Sequence, residues 1–191
     1  MAKNKLETCP WAQGDNYIEY HNIEWGVPCR DVLKLFEKIC LEGQQAGLSW
    51  ITVLNKREHY RKRFFRFNPN KIANMNDDEI EERLLDAGLI RNKLKLYAIR
   101  HNAQAFLKLK KEGVDFAEFI WGFVNHETKI NHFKQLKDVP AETPESKAMS
   151  KALKKAGFKF VGPTICYAFM QSMGLVNDHL TNCPCHPDHC D

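Results

Sequence analysis

Glu42, Gln44, Gln45 and Trp50 stand together in the run Glu42-Gly43-Gln44-Gln45-Ala46-Gly47-Leu48-Ser49-Trp50, where two apolar-periodic segments meet. A carboxylate accepts hydrogen bonds and an indole offers a face for stacking, so these residue types suit a flat polar ring. Glycines in the same run let backbone come close to whatever is bound. Trp11, Tyr17, Tyr20, Trp25 and Trp50 form an aromatic set concentrated before residue 51. Most aromatics are core residues, and Trp25, followed by Gly26, reads as packing. Tyr20 and Trp50 are assigned with Glu42 to a stacking pocket.

A second group has metal-ligand chemistry. Cys9, His21, His179 and Cys183 make a Cys2His2 set, and His179 and Cys183, four apart, face one way on a helical turn. A closed set of four is the pattern of a structural zinc, which would clip the two ends of the chain together across a very long loop. Cys185, His186, His189 and Cys190 compete as ligands on spacing alone. Buried thiols acting as small hydrophobes are the plainer alternative. Seven cysteines, an odd number, argue against a closed disulfide framework.

A third group is Lys154-Lys155-Ala156-Gly157-Phe158-Lys159-Phe160-Val161-Gly162-Pro163-Thr164, which resembles a helix-hairpin-helix element. Gly157 can leave the first helix in a left-handed conformation, and the helix opening at Pro163 presents free N–H groups to an anion. Lys151, Lys154, Lys155 and Lys159 suit a phosphate backbone, with Lys159, Gly162 and Thr164 as the expected DNA contacts. Lys56, Arg57, Arg61, Lys62, Arg63 and Arg66 form another basic stretch. Such clusters are usually solvated helix faces, and the net charge of +4 is too small to select a partner.

The elements that must position these groups read as helices throughout. Asp31 caps an apolar stripe of Val32, Leu35, Phe36, Ile39 and Cys40. Ser49 caps the next helix, expected to run until Asn68-Pro69, and Pro69 opens a short one to Met75. Further helices are expected from Asn76 to Gly88, Arg91 to Lys111, Asp115 to Phe123, Thr143-Pro144 to Gly157, and Pro163 to Gly174. Period-two alternation is nearly absent, so the class is all-α with roughly eight helices, and residues 1–30 are the least regular part. At 191 residues and 43% hydrophobic content, one helical unit can bury a real core. No leader pattern or membrane-length apolar run is present, so a cytoplasmic protein with no membrane partner is expected.

Tyr20-His21-Asn22-Ile23-Glu24-Trp25-Gly26-Val27-Pro28, Leu41 through Trp50, Asn125-His126, Gly157 through Gly162, and Gly174-Leu175-Val176-Asn177-Asp178-His179 closely resemble the 3-methyladenine DNA glycosylase I family. The resemblance runs from about Cys9 to Cys183 and implies a helix-hairpin-helix DNA glycosylase fold. It implies one structural zinc on Cys9, His21, His179 and Cys183, tethering segments 1–30 and 174–191, with the hairpin element at 150–165. It places the base pocket on Glu42, Tyr20 and Trp50, with Trp11 and Tyr17 beside them, and the duplex-entering loop on Gly47 and Leu48. The implied activity is hydrolytic excision of 3-methyladenine from double-stranded alkylated DNA, releasing the free base and leaving an abasic site. A monomer is expected. No lysine in the Glu42 region points to Schiff-base chemistry, so no strand cleavage is expected, and Asp178, beside His179, reads as structurally engaged. The rivals are a zinc-stabilised DNA-binding module without catalysis, which has no use for Glu42 beside Trp50, and a metallohydrolase, which four protein ligands argue against.

Overall fold

The computed structural model describes residues 6–189, and among these ten α-helices carry the fold. Cys190, one of the competing metal ligands, lies outside the described residues. The first helix, α1 (Asp15–Ile23), stands in the stretch expected to be least regular. It has few apolar positions to mark it, burying only Tyr20 and His21, and Asp15 sits favourably at its positive dipole end.

Asp31 caps α2 (Val32–Gln45) as its sequence requires, accepting from the N–H groups of Leu33 and Lys34 at 2.9 Å. The helix expected to continue from Ser49 to Asn68 is instead divided into α3 (Trp50–Leu54) and α4 (Arg57–Arg63). Tertiary bonds fix the break: Asn16 donates to Asn55 Oδ1 at 2.7 Å and Lys56 donates to the Ala87 carbonyl at 2.8 Å. Phe65, Arg66 and Phe67 then adopt φ of +52° to +54°, a reversal that leaves both Phe64 and Phe67 buried.

Short α5 (Pro69–Ala73) and α6 (Asp77–Leu84) start at Asn68 and Asn76. Asn76 and Glu79 form a reciprocal capping box. α6 ends well before Gly88. The long α7 (Lys93–Lys111), capped by Asn92, packs against α2, and α8 (Phe116–Trp121) follows a cap at Asp115. α9 (Pro144–Ala156) has a Thr143–Ser146 capping box and ends at Gly157 with φ +105°. α10 (Pro163–Ser172) packs on both α9 and α2. No helix among the described residues is long and apolar enough to cross a membrane.

One small departure from an all-helical chain joins distant segments. Strand β1 (Lys129–Ile130) pairs in parallel with β2 (Val176–Asn177), two residues each. Next to it, Gly174 has φ +70°, and a Cβ there would lie 2.3–2.6 Å from backbone atoms of Val27 and Pro28. Gly26 N–H donates to Gln171 O and Cys29 N–H to Met173 O. The N-terminal segment is thus laid directly on the C-terminal end of α10, which brings Tyr20 and His21 toward Asp178 and His179.

Candidate active site

The end of α2, the start of α3, α1 and α10 enclose a cavity of about 310 Å³. Tyr20 and Trp50, both buried, form one wall with ring centroids 5.6 Å apart. Trp11 and Tyr17 continue it at 4.9 Å from each other, and Trp25 meets Trp11 edge-on. Trp25 therefore does more than pack: it lines the cavity as well. Gln45, Gln171 and Asp178 supply polar groups to the lining.

Glu42 projects from the last turns of α2 into this space and is 2% exposed. Its Oε2 and the indole Nε1 of Trp50 have no hydrogen-bond partner, two orphaned polar atoms beside an aromatic wall. Burial raises the Glu42 carboxyl to about 7, opposed by the charge of Lys38 and by Ser172. Glu42 also helps burial raise the phenols of Tyr17 and Tyr20. Asp178 is fully engaged by contrast. Tyr167 Oη donates to it at 2.6 Å, Gln171 Nε2 at 2.8 Å and Asn131 Nδ2 at 2.7 Å, so it serves as a fixed strut between α10, β2 and the residue-131 loop.

Cys9, His21, His179 and Cys183 meet directly beneath the aromatic wall, all buried, with their ligand atoms within 4.8 Å of one another. Bond lengths of ~2.3 Å to sulfur and ~2.05 Å to nitrogen give tetrahedral edges of about 3.4 Å for N···N and about 3.6 Å for S···N. The observed edges are 3.1 Å for N···N and 3.5, 3.5 and 3.9 Å for S···N. The remaining nitrogens are oriented from outside, His21 Nδ1 against Asn22 Oδ1 at 2.7 Å and His179 Nε2 against the Trp25 carbonyl at 3.0 Å. That leaves His21 Nε2 and His179 Nδ1 pointing inward. Hydrogen bonding first from Cys9, then from the two imidazoles, lowers the Cys183 thiol well below its usual range, while the same Cys9–Cys183 contact raises Cys9. The donor set fits a closed tetrahedral ion.

The tail competitors lie elsewhere. Cys185 Sγ contacts Asn22 Oδ1 at 3.6 Å and His189 faces the Thr181 carbonyl at 2.9 Å. His132, His186 and Asp188 make a second, more exposed group, but His186 Nδ1 already accepts the Asp188 N–H at 3.2 Å.

Gly47 and Leu48 sit at the exposed tip where α2 turns into α3, Gly47 with φ +75° and Leu48 44% exposed. The tip is braced from behind, because buried Lys95 donates to the carbonyls of Gln44 at 2.8 Å and Ala46 at 2.5 Å. Thr164 lies on the cavity rim and Gly162 is the open N-cap of α10. Lys159 is exposed, its backbone tied to Asn102 by N–H···Oδ1 at 2.7 Å. Lys151, Lys154, Lys155 and Lys159 enter no ion pair among the described residues. The other basic stretch is largely consumed internally: Arg57 pairs with Glu24, Arg61 with Glu37 and Arg63 with Glu82 and Asp86.

Reading the sequence missed Lys38. It lies one turn before Glu42, is 7% exposed, and places Nζ 4.7 Å from the ring centroids of both Tyr20 and Trp50. A lysine does therefore stand in the Glu42 region. The signal was its position, three residues after Leu35 and four before Glu42, inside the buried stripe rather than opposite it.

The methyladenine glycosylase family matches residues 11–186. The DNA-3-methyladenine glycosylase of Haemophilus influenzae is 58% identical over 178 residues, covering 93% of this chain and 96% of its own. A crystal structure of 3-methyladenine DNA glycosylase I superposes with a TM-score of 0.94 at 54% identity, covering 95% of this chain and 100% of that one. A structure solved for 3-methyladenine recognition by 3-methyladenine DNA glycosylase I of Staphylococcus aureus gives 0.91 at 35% identity, covering 95% and 97%. A match over nearly the whole length, with an aromatic cavity and a buried carboxylate in place, makes this chain a member of the methyladenine glycosylase family.

Proposed function

We propose that this chain is a monofunctional DNA glycosylase that extrudes 3-methyladenine from alkylated duplex DNA and hydrolyses its glycosidic bond, leaving an abasic site. The observation that carries the reading is the orphaned Oε2 of buried Glu42 beside the orphaned Nε1 of Trp50, in a cavity walled by Tyr20. Buried polar atoms without partners cost about 1–3 kcal/mol each, so a ligand that supplies their partners recovers that cost. A base methylated at N3 carries positive charge in DNA, which weakens its bond to deoxyribose and lets the base leave neutral. No general acid is required, and the chain's contribution is recognition and placement.

In this reading Tyr20 and Trp50 stack the ring and Glu42 accepts hydrogen bonds from its edge, with Trp11 and Tyr17 closing the side. Leu48, carried on the braced tip at Gly47, fills the space the base vacates. Lys159, Gly162 and Thr164, where α9, the hairpin and α10 form a helix-hairpin-helix element, hold the phosphate backbone beyond the cavity. Zinc on Cys9, His21, His179 and Cys183 would supply rigidity alone, since four protein ligands leave no open position. A zinc-stabilised DNA-binding module without catalysis is disfavoured by the cavity, which such a module does not need.

Equilibrium binding of free 3-methyladenine, followed by tryptophan fluorescence, tests the assignment. Glu42→Gln should weaken it by about 1.5–3 kcal/mol, the usual worth of a charged hydrogen bond, with duplex affinity nearly unchanged. Equal loss of both would make Glu42 a folding residue. Borohydride trapping of a covalent adduct with DNA would contradict the absence of lyase chemistry.

A further inference from the structure

Lys38 is the one buried charge of this region that the excision reading leaves unused. It does not enter the base cavity. It lines the neighbouring cavity of about 380 Å³, formed between Glu24, Glu37, Arg57 and Arg61, and Ser172 is a wall common to both. From there its ammonium lies 4.7 Å from the centroids of both aromatic rings, and its hydrogen bond among the described residues goes to Tyr20 Oη at 3.4 Å.

The other charges lining this cavity are paired or exposed. Arg57 is bound to both oxygens of Glu24, at 2.6 and 2.8 Å, and Arg61 is bound to Glu37 at 2.6 Å, while Lys34 is exposed. Lys38 and Glu42, at i and i+4 on one face of α2, are buried charged groups that enter no ion pair among the described residues. Around Glu42 the other ionisable groups lining the cavity are Tyr17 and Tyr20 on α1 and Tyr167 and Asp178 across it. None of these is a cation. Tyr17 and Tyr20 are raised by burial and by Glu42 itself, Tyr167 by burial and by its bond to Asp178, and Asp178 is held as an acceptor by three donors.

We infer that Lys38 is a positioning residue for base selection, drawing Glu42 toward its carboxylate form so that the empty pocket favours a cationic, hydrogen-donating ring over a neutral one. This rests on the reading of Glu42 as the acceptor for the base. A carboxyl in that cavity without a nearby cation protonates, because burial already carries it to about 7 even against the charge of Lys38. Protonated, it offers a donor where the alkylated ring also donates. Lys38 pays toward ionisation from a protected position: it is buried, its stem is packed in the apolar stripe, and salt reaches it poorly.

The test is a carboxyl-carbon NMR titration of Glu42, assigned with Glu42→Gln, in the full chain and in Lys38→Met and Lys38→Arg. The Glu42 midpoint should rise by about one pH unit or more in K38M and stay near the parent in K38R, and the acid limb of single-turnover 3-methyladenine release should move with it. If K38M does not fold, Lys38→Leu carries the same expectation. An unchanged midpoint in the folded apolar variant overturns the inference. A midpoint that rises while the release profile stays in place supports the charge coupling and overturns Glu42 as the acceptor, so the two readings fail separately.

Discussion

Glu42 and Lys38 hold opposite charges in a place where apolar residues would be more stable. Neither enters an ion pair within 4.0 Å among the described residues, so each bears a burial cost that a packed neutral residue does not. The double variant K38M/E42Q should therefore melt higher than the parent while losing base binding, which calorimetry over pH can check. The sign follows from each shift. Glu42 titrates higher in the folded chain, so its contribution to stability is fully present below pH 4.5 and is lost as pH rises through about 7. Lys38 is lowered by burial to about 8, so its contribution is present above 10.5 and is lost as pH falls through about 8. The parent should fall furthest below the double variant between about pH 7 and 8, where both groups are charged. A difference that stays constant from about pH 4.5 to 10.5 would show that these two groups do not carry the cost. Glu42, Tyr20 and Trp50 were legible as a pocket from residue type alone, because a carboxylate beside an indole at a helix end is an unusual combination. Lys38 was not, since a lysine beside apolar positions ordinarily lays its stem on the surface and keeps its charge in water.

At the scale of elements, caps were the readable part. Asp31, Asn76 and Thr143 each accept the N–H that their sequence position implies, whereas Ser49, also expected to cap, meets the Thr52 hydroxyl instead of a backbone N–H. The break between α3 and α4, the Phe65–Phe67 reversal and the β1–β2 pairing were not readable, because each depends on a partner far away in sequence. Gly174 joins the two kinds of information: its place after α10 was expected, its packing against Val27 and Pro28 was not. Gly174→Ala should destabilise the fold by several kcal/mol, more than the roughly 1 kcal/mol of a left-handed conformation alone, since the clash is with backbone. Chemical denaturation measures it, and a loss under about 1 kcal/mol would mean the segments can part cheaply. The hairpin makes a different prediction. Lys159→Gln should weaken binding to any duplex and reduce the salt slope by about one phosphate contact, with little change in stability because the side chain is exposed.

For the whole molecule, the Cys9, His21, His179 and Cys183 cluster ties residue 9 to residue 183 and stands directly under the aromatic wall. The resemblance singled out these four where spacing alone left Cys185, His186 and His189 open, and the fold that brings α1 onto the end of α10 gathers them. Cys9→Ala, or removal of metal by a strong chelator, should lower the thermal midpoint by roughly 5–15 °C, as expected when a few kcal/mol are lost in a chain of this size. Metal analysis should find one ion in the parent and much less in the variant. A variant with full metal content and an unchanged midpoint would take the cluster out of the fold's support. The most direct test of the central claim is single-turnover incubation of the chain with methylated duplex DNA, with the released bases separated by chromatography. The parent should liberate free 3-methyladenine and leave strands that break only on later alkali treatment, and Glu42→Gln should bind the duplex but release the base at least tenfold more slowly. Tight duplex binding with no base released by the parent chain would contradict the account.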